Sequence, residues 1–247
     1  MNKSTALITM AQGNPKALRR TFESYRPYCD EIVFGDVLLF EEDRAAVKAM
    51  EAEFKLRVVR FDFDFIFHNG FSAILNRLAS QATTELALYA NCGEIIDPNY
   101  PVNWPQQDDG HNCYFFKHAT ETHHWIRTYD PKQLEWSGLI HEEVCGLFPR
   151  NCRPTEVFYM ADTEKDTDDP FRRRVCEDVK EMVYFEQLDR LRRQPHLLGG
   201  TNAGWLDYTN KQGLYYVTQQ LKRGLRYIAF HQHCFELYMQ QAKHDFA

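Results

Sequence analysis

The first 61 residues alternate between short apolar runs and amphipathic stretches, and that alternation restricts the chain to few architectures. Thr5 to Ala11 (TALITMA) is an apolar run of buried-strand length. A polar turn, Gln12-Gly13-Asn14, follows it. Pro15 then fits the first position of a helix, where a backbone N–H would have no partner to lose. Leu18, Phe22 and Tyr25 give that helix an apolar stripe, and Pro27 ends it. Glu31 to Asp36 (EIVFGD) is a second strand finishing in a carboxylate. Asp43 to Phe54 is a second helix with Ala, Val and Met inward, and Leu56 to Phe61 is a third strand. Strand, helix, strand, helix, strand at this spacing predicts a parallel sheet with right-handed crossovers.

The next stretch, Phe61 to Asp97, carries the candidate site. A polar turn at His68-Asn69-Gly70 leads into FSAILNRLASQA, where Phe71, Ile74, Leu75 and Leu78 fall at helical spacing. Ser72 or Asn69 is suited to cap that helix by accepting hydrogen bonds from its first N–H groups. Thr83 and Thr84 break the pattern, and Leu86 to Ala90 (LALYA) is again of buried-strand length. That run stops at Asn91-Cys92-Gly93-Glu94. A buried strand ending in a small, polar, glycine-containing turn is where open α/β sheets place ligand-binding groups.

Beyond the site, Pro98, Pro101 and Pro105 with Asp108-Asp109-Gly110 mark a loop. Cys113 to Lys117 and His123 to Arg127 read as strands, and Glu135 to Val144 as a further strand running into polar residues. Residues 160–170 form an acidic, proline-ended linker. It divides a first domain, 1–160, from a helical C-terminal part, 171–247, with helices expected over 171–194, 205–221 and 225–242. Residues 172–247 carry 12 Lys and Arg against 8 Asp and Glu, an excess small enough for a solvated helix face. It gives little support to a nucleic-acid partner. His231 and His233 fall on different helical faces, which argues against a shared metal. The seven cysteines include no C-x-x-C pair and fit buried thiols in a reducing compartment better than a disulfide framework. With no bilayer-length apolar run and no signal-peptide pattern, the expectation is a cytoplasmic protein without a transmembrane segment.

Three stretches resemble family 2 glycosyltransferases of the GT-A fold. The opening LITMAQGNPKALRRTFESYRPYCDEIVFGD is similar to that family's strand, turn, helix and D-E-I-V-V-x-D strand. The family segment D-x-F-S-x-A-R-N, then A-T-G-D-W, precedes a strand ending in D-A-D-E. The matching positions here read Asn69 to Asn76, Ala82 to Leu86 and Asn91-Cys92-Gly93-Glu94. Both Asp positions of the family's metal-binding D-x-D are therefore replaced, by Asn91 and Gly93. Further on, Trp136, Gly138, Ile140, His141 and Glu142 match the family's W-x-G-x-(I/V)-H-E element on the acceptor side.

The resemblance implies an α/β fold over about residues 4–145: a GT-A-like, Rossmann-type αβα sandwich with a mainly parallel sheet. It implies a glycosyltransferase that moves a sugar from a nucleotide-sugar donor to an acceptor, with inversion if one base acts in a single displacement. Asp36 holds the position that contacts the nucleotide, Asn76 the family's Asn position, and Asn91 the first position of the altered D-x-D. Glu142 is the candidate base and Glu143 its alternate, while Glu94 and His141 are the residues left to hold a divalent cation, Mn2+ or Mg2+. Three alternatives stay open: metal held by Glu94, His141 and the donor phosphates; metal-free transfer supported by Lys or Arg; or a non-catalytic nucleotide-sugar-binding or interaction module.

Overall fold

A computed structural model describes residues 4–11, 13–102, 104, 110–119, 124–137, 143–145, 151–161, 169–179 and 183. The opening alternation is present with nearly the expected bounds: β1 Thr5–Ala11, α1 Pro15–Tyr25, β2 Glu31–Asp36, α2 Glu41–Phe54 and β3 Leu56–Arg60. α1 begins as its sequence dictates. Asn14 takes a left-handed conformation (φ 60°), its side chain accepts from the Ala17 N–H at 3.1 Å, and Pro15 opens the first turn. α2 starts two residues before Asp43, because Glu41, Glu42 and Asp43 together place negative charge on a helix N-terminus.

After β3 come α3 (Phe63–Ala79), β4 (Leu86–Tyr89), β5 (Glu94–Ile96), β6 (Cys113–His118) and β7 (His124–Tyr129). β8 (Glu135–Ser137) and β9 (Glu143–Cys145) pair as a separate two-stranded sheet, and β10 is Cys152–Ala161. The main sheet has eight strands in the order β3-β2-β1-β4-β7-β6-β10-β5. β1, β2, β3 and β4 run parallel to one another, as do β6 and β10, while β7 and β5 join antiparallel. The sheet is thus mixed, with its parallel half where the sequence placed it.

The chain divides into two compact units, one of 1–60, 75–135 and 144–167, the other of 61–74, 136–143 and 168–247. In the first, α1 and α2 cover one sheet face. Leu18, Phe22, Val47, Met50 and Phe54 join Leu7, Ile32, Phe34 and Leu88 in a single core. Phe22 is the hub, with its ring 6.1 Å from Phe34 edge-on and 5.4 Å from Phe54. On the other face the last turns of α3 press on β2 at Gly35. A Cβ there would lie 3.1 Å from Leu78 Cδ1 and 3.2 Å from Met10 Cβ. Gly35→Val is expected to cost about 1–3 kcal/mol by overpacking, read as a lower urea midpoint at unchanged slope.

Several expectations need correction. The expected turn at His68-Asn69-Gly70 is narrower than its three residues: one helical segment of α3 starts earlier, at Phe63, and the chain breaks at Gly70 (φ 73°, ψ −178°) before a second segment runs on to Ala79. Asn69 does not act as the expected N-cap. Asp62 Oδ1 accepts from the Phe65 N–H at 2.6 Å, and the Asn69 side chain donates to the Phe65 carbonyl. β5 and β10 are strands that the sequence reading left out, and Cys113 and Cys152 are bridged, not free thiols. Their register explains the bridge without any C-x-x-C spacing, since Cys152 sits directly across from Cys113 in the β6–β10 pair.

In the second unit, a helix over 170–179 is capped by Asp169, whose Oδ1 accepts from the N–H groups of Phe171 and Arg172. Val175, Val179 and Val183 are buried, the inward spacing expected for the start of the 171–194 helix. The other expected C-terminal helices, with His231 and His233, lie outside the described residues. No described helix is long and apolar enough to cross a membrane.

Candidate functional site

The parallel half of the sheet contains a topological switch. From β1 the chain proceeds through α1 to β2 on one side, while β4 lies against the other side of β1. Connections that leave a central strand in opposite directions open a crevice at the C-terminal strand ends, where ligands bind in open α/β sheets. The loops after β1 and β4 meet there. Cys92 Sγ lies 4.0 Å from the Gly13 carbonyl and 3.9 Å from that of Asn14, and the Gly93 N–H donates to Thr21 Oγ1 at 2.9 Å. One turn further along α1, Ser24 Oγ accepts from the Ile96 N–H at 2.8 Å, so α1 seats both the turn and β5.

Asp36 ends β2 as expected, in register with Ala11 of β1 and Arg60 of β3. With β1 alone between them, β2 and β4 stand two strand spacings apart, about 10 Å. Asp36 and the 91–94 turn thus share one edge of the sheet. The Asp36 carboxylate is buried and already engaged. Its Oδ1 accepts from the Leu38 N–H at 3.1 Å, and its Oδ2 lies 3.1 Å from Arg60 Nε and 3.4 Å from Arg44 Nε. Arg60 is mostly exposed, at 72% of its side chain, so one strand end presents a positive group to solvent with its acid behind it.

The turn itself is closed by the Glu94 N–H donating to the Asn91 carbonyl at 3.0 Å, with Gly93 at φ 84° in the position that demands a left-handed conformation. Asn91 and Glu94 face one another. The Asn91 backbone N–H donates to Glu94 Oε2 at 2.8 Å, its Nδ2 donates to Glu94 Oε1 at 2.8 Å, and its Oδ1 accepts from the Tyr89 hydroxyl. Aspartate at position 93 would be strained by the positive φ, and aspartate at 91 would set a second carboxylate against Glu94. The local geometry thus disfavours aspartate at both positions.

Behind the turn lies a group that the sequence reading missed. Arg127 of β7 donates from its terminal nitrogen to Glu94 Oε1 at 3.0 Å, with both side chains about nine-tenths buried. Its guanidinium stacks over Tyr159 of β10 at 4.3 Å and near Tyr89 of β4 at 5.6 Å. Burial works against the guanidinium's charge, but Glu94 and Tyr159 hold its pKa above the ordinary arginine value. Burial and the charge of Glu94 also push the Tyr25 phenol up. The only hint in the sequence was a single charged residue inside the strand HWIRTY.

Asn76 sits half-buried on α3, its carbonyl accepting from the Ser80 N–H in an ordinary helical turn. Glu143 opens β9, while His141 and Glu142 lie outside the described residues. The residues brought together are therefore Asn91 and Glu94, with Asp36 on the same edge two strands away.

No protein-family model matches the sequence, and no curated protein does. Among solved structures, the chain is similar to a 1–349 fragment of S. aureus TarS, with a TM-score of 0.44 at 9% identity over 89% of this chain and 72% of that one. It is similar to GalNAc-T7, solved with UDP, GalNAc and Mn2+, with a TM-score of 0.46 at 10% identity over 91% and 59%. Glucosyl-3-phosphoglycerate synthase from Mycobacterium tuberculosis, solved with Mn2+, UDP and glucosyl-3-phosphoglycerate, gives 0.37 at 12% over 48% and 45%. These neighbours are GT-A glycosyltransferases. The chain spans 43% of a longer TarS structure, so much of the neighbours' length has no counterpart here. Overlaps of this size carry no inference about chemistry, which rests on the chain's own residues.

Proposed function

We propose that the chain binds a nucleotide sugar at the C-terminal edge of β2, β1 and β4 and transfers the sugar to an acceptor. The observation that carries this reading is the topological switch at β1, where the two flanking loops meet and Asp36 shares an edge with the 91–94 turn. The family resemblance of those same residues supplies the ligand class. Asp36 acts with Arg44 and Arg60, whose positions it sets, in gripping the nucleotide end of the donor. Glu142, with Glu143 as alternate, takes the acceptor proton, and one displacement at the anomeric carbon inverts its configuration.

The resemblance to family 2 glycosyltransferases makes a divalent cation the expected partner of a diphosphate. The 91–94 turn does not fit one. Gly93 has no side chain, Asn91 is neutral with its oxygen committed to Tyr89, and both Glu94 oxygens already accept hydrogen bonds. Among the described residues no group of three His, Cys, Asp or Glu side chains could hold a metal ion. That same commitment of Glu94 favours a second reading, a module that binds the nucleotide sugar without transferring it.

Both readings require nucleoside diphosphate binding. UDP or GDP at about a hundredfold its dissociation constant is expected to stabilise the chain by about 2.7 kcal/mol, which thermal denaturation records as a higher midpoint. Asp36→Asn keeps an acceptor for Leu38 and removes the charge facing the two arginines. It should shrink the nucleotide-induced shift well beyond its effect on the unliganded protein. No shift with either nucleotide at millimolar concentration would end both readings.

A further inference from the structure

We propose that the Asn91–Glu94 turn is not a divalent-cation site and that the buried guanidinium of Arg127 serves as the counter-charge of Glu94 in place of a metal. Mg2+ and Mn2+ take about six hard oxygen ligands at close range, and a carboxylate ligand must turn a lone pair toward the ion. Here Glu94 Oε1 receives Arg127 at 3.0 Å and Asn91 Nδ2 at 2.8 Å, while Oε2 receives the Asn91 N–H at 2.8 Å. An ion coordinated to Oε1 would sit beside a like charge that cannot withdraw. Arg127 is held between the rings of Tyr89 and Tyr159, and its burial leaves no solvent to screen the repulsion. The turn also presents donors where a cation needs acceptors, since the Asn91 amide NH2 points at Glu94. A built-in cation differs from a metal in having no dissociation constant, so the turn keeps one electrostatic state at any metal concentration. This inference concerns the chain's own residues and holds whether or not a nucleotide sugar binds.

The test is direct Mn2+ titration of the full chain, with the free ion followed by its paramagnetic resonance signal, for the wild type and for Glu94→Gln. The expected result is that the two proteins have the same Mn2+ affinity to within about twofold, whatever that affinity is, because Glu94 is not a ligand. A loss of about tenfold or more in Glu94→Gln would make Glu94 a metal ligand and overturn the proposal. Should Glu94→Gln fail to fold because Arg127 is left buried without its acid, the double variant Glu94→Gln/Arg127→Met removes both charges together and is read the same way.

Discussion

Arg127→Met is expected to lower the stability of the protein by about 3–5 kcal/mol, the cost of removing one partner from a buried ion pair. Methionine keeps an unbranched apolar stem between Tyr89 and Tyr159, so the loss comes mainly from charge and only secondarily from packing. What remains is a buried Glu94 whose donors are the two N–H groups of Asn91. The loss should appear as a denaturant midpoint shift, and as a fall in Tm of about 10 °C for a chain of this size. Pairing the change with Glu94→Gln should recover a large part of the loss, since two well-packed neutral residues often replace a buried pair at little cost. A loss under about 1 kcal/mol for Arg127→Met would mean that the pair behaves like a solvent-exposed one, and the turn would then need another source of order.

Breaking the Cys113–Cys152 bridge should have an effect of similar size. The two residues are 39 apart in sequence, and closing a loop of that length is worth about 4 kcal/mol in chain entropy. Cys113→Ser/Cys152→Ser, or reduction of the wild type, should therefore lower the guanidinium midpoint by comparable amounts, and reductant should not affect the double variant. Alkylation of the native, unreduced protein gives a second readout. Cys92 and Cys176 are half-buried and should react. Cys29 should resist, because burial pushes its thiol up and hides it. Cys113 is at least as buried as Cys29, so Cys113 and Cys152 should both react only after reduction in denaturant. If both react in denaturant without reductant and the midpoint ignores reductant, the bridge does not form in solution.

How far the sequence could be read depended on how local the determinant was. β1, α1, β2 and α2 were legible because each carries its own signal: a buried run, Asn14 before Pro15, a strand closed by Asp36. Gly93 at the end of β4 likewise announced its turn. β5 and β10 were not legible, since Glu94–Ile96 is too short to show a period and Cys152–Ala161 includes Pro154, which argues locally against a strand. Asp36, Asn91 and Glu94 were named as candidates from the sequence, but their partners in the fold were not. Arg127 reaches Glu94 from a strand 33 residues downstream, Tyr159 stacks on Arg127 from one 65 residues downstream, and no spacing rule links such residues. The identity of a carboxylate can be read in a sequence, whereas its availability is decided by whatever folds against it.

Residues 90–93 are all that separate β4 from β5 in the sequence, yet β7, β6 and β10 stand between them in the sheet. Four flat strand spacings would be about 19 Å. Residues 91–94 form a tight turn whose ends lie within about 7 Å, so the link cannot stretch that far. The half-sheet must therefore curl so that the start of β5 stays near the end of β4. This curled half-sheet has an order of assembly. β5 pairs with residues 159–161 of β10, so the strand made early must wait for one made much later. During synthesis from the N-terminus, the turn that holds Asn91 and Glu94 stays without its final partner for more than sixty further residues. Its local sequence is complete long before its geometry is, and such long-range closure is slow compared with helix formation.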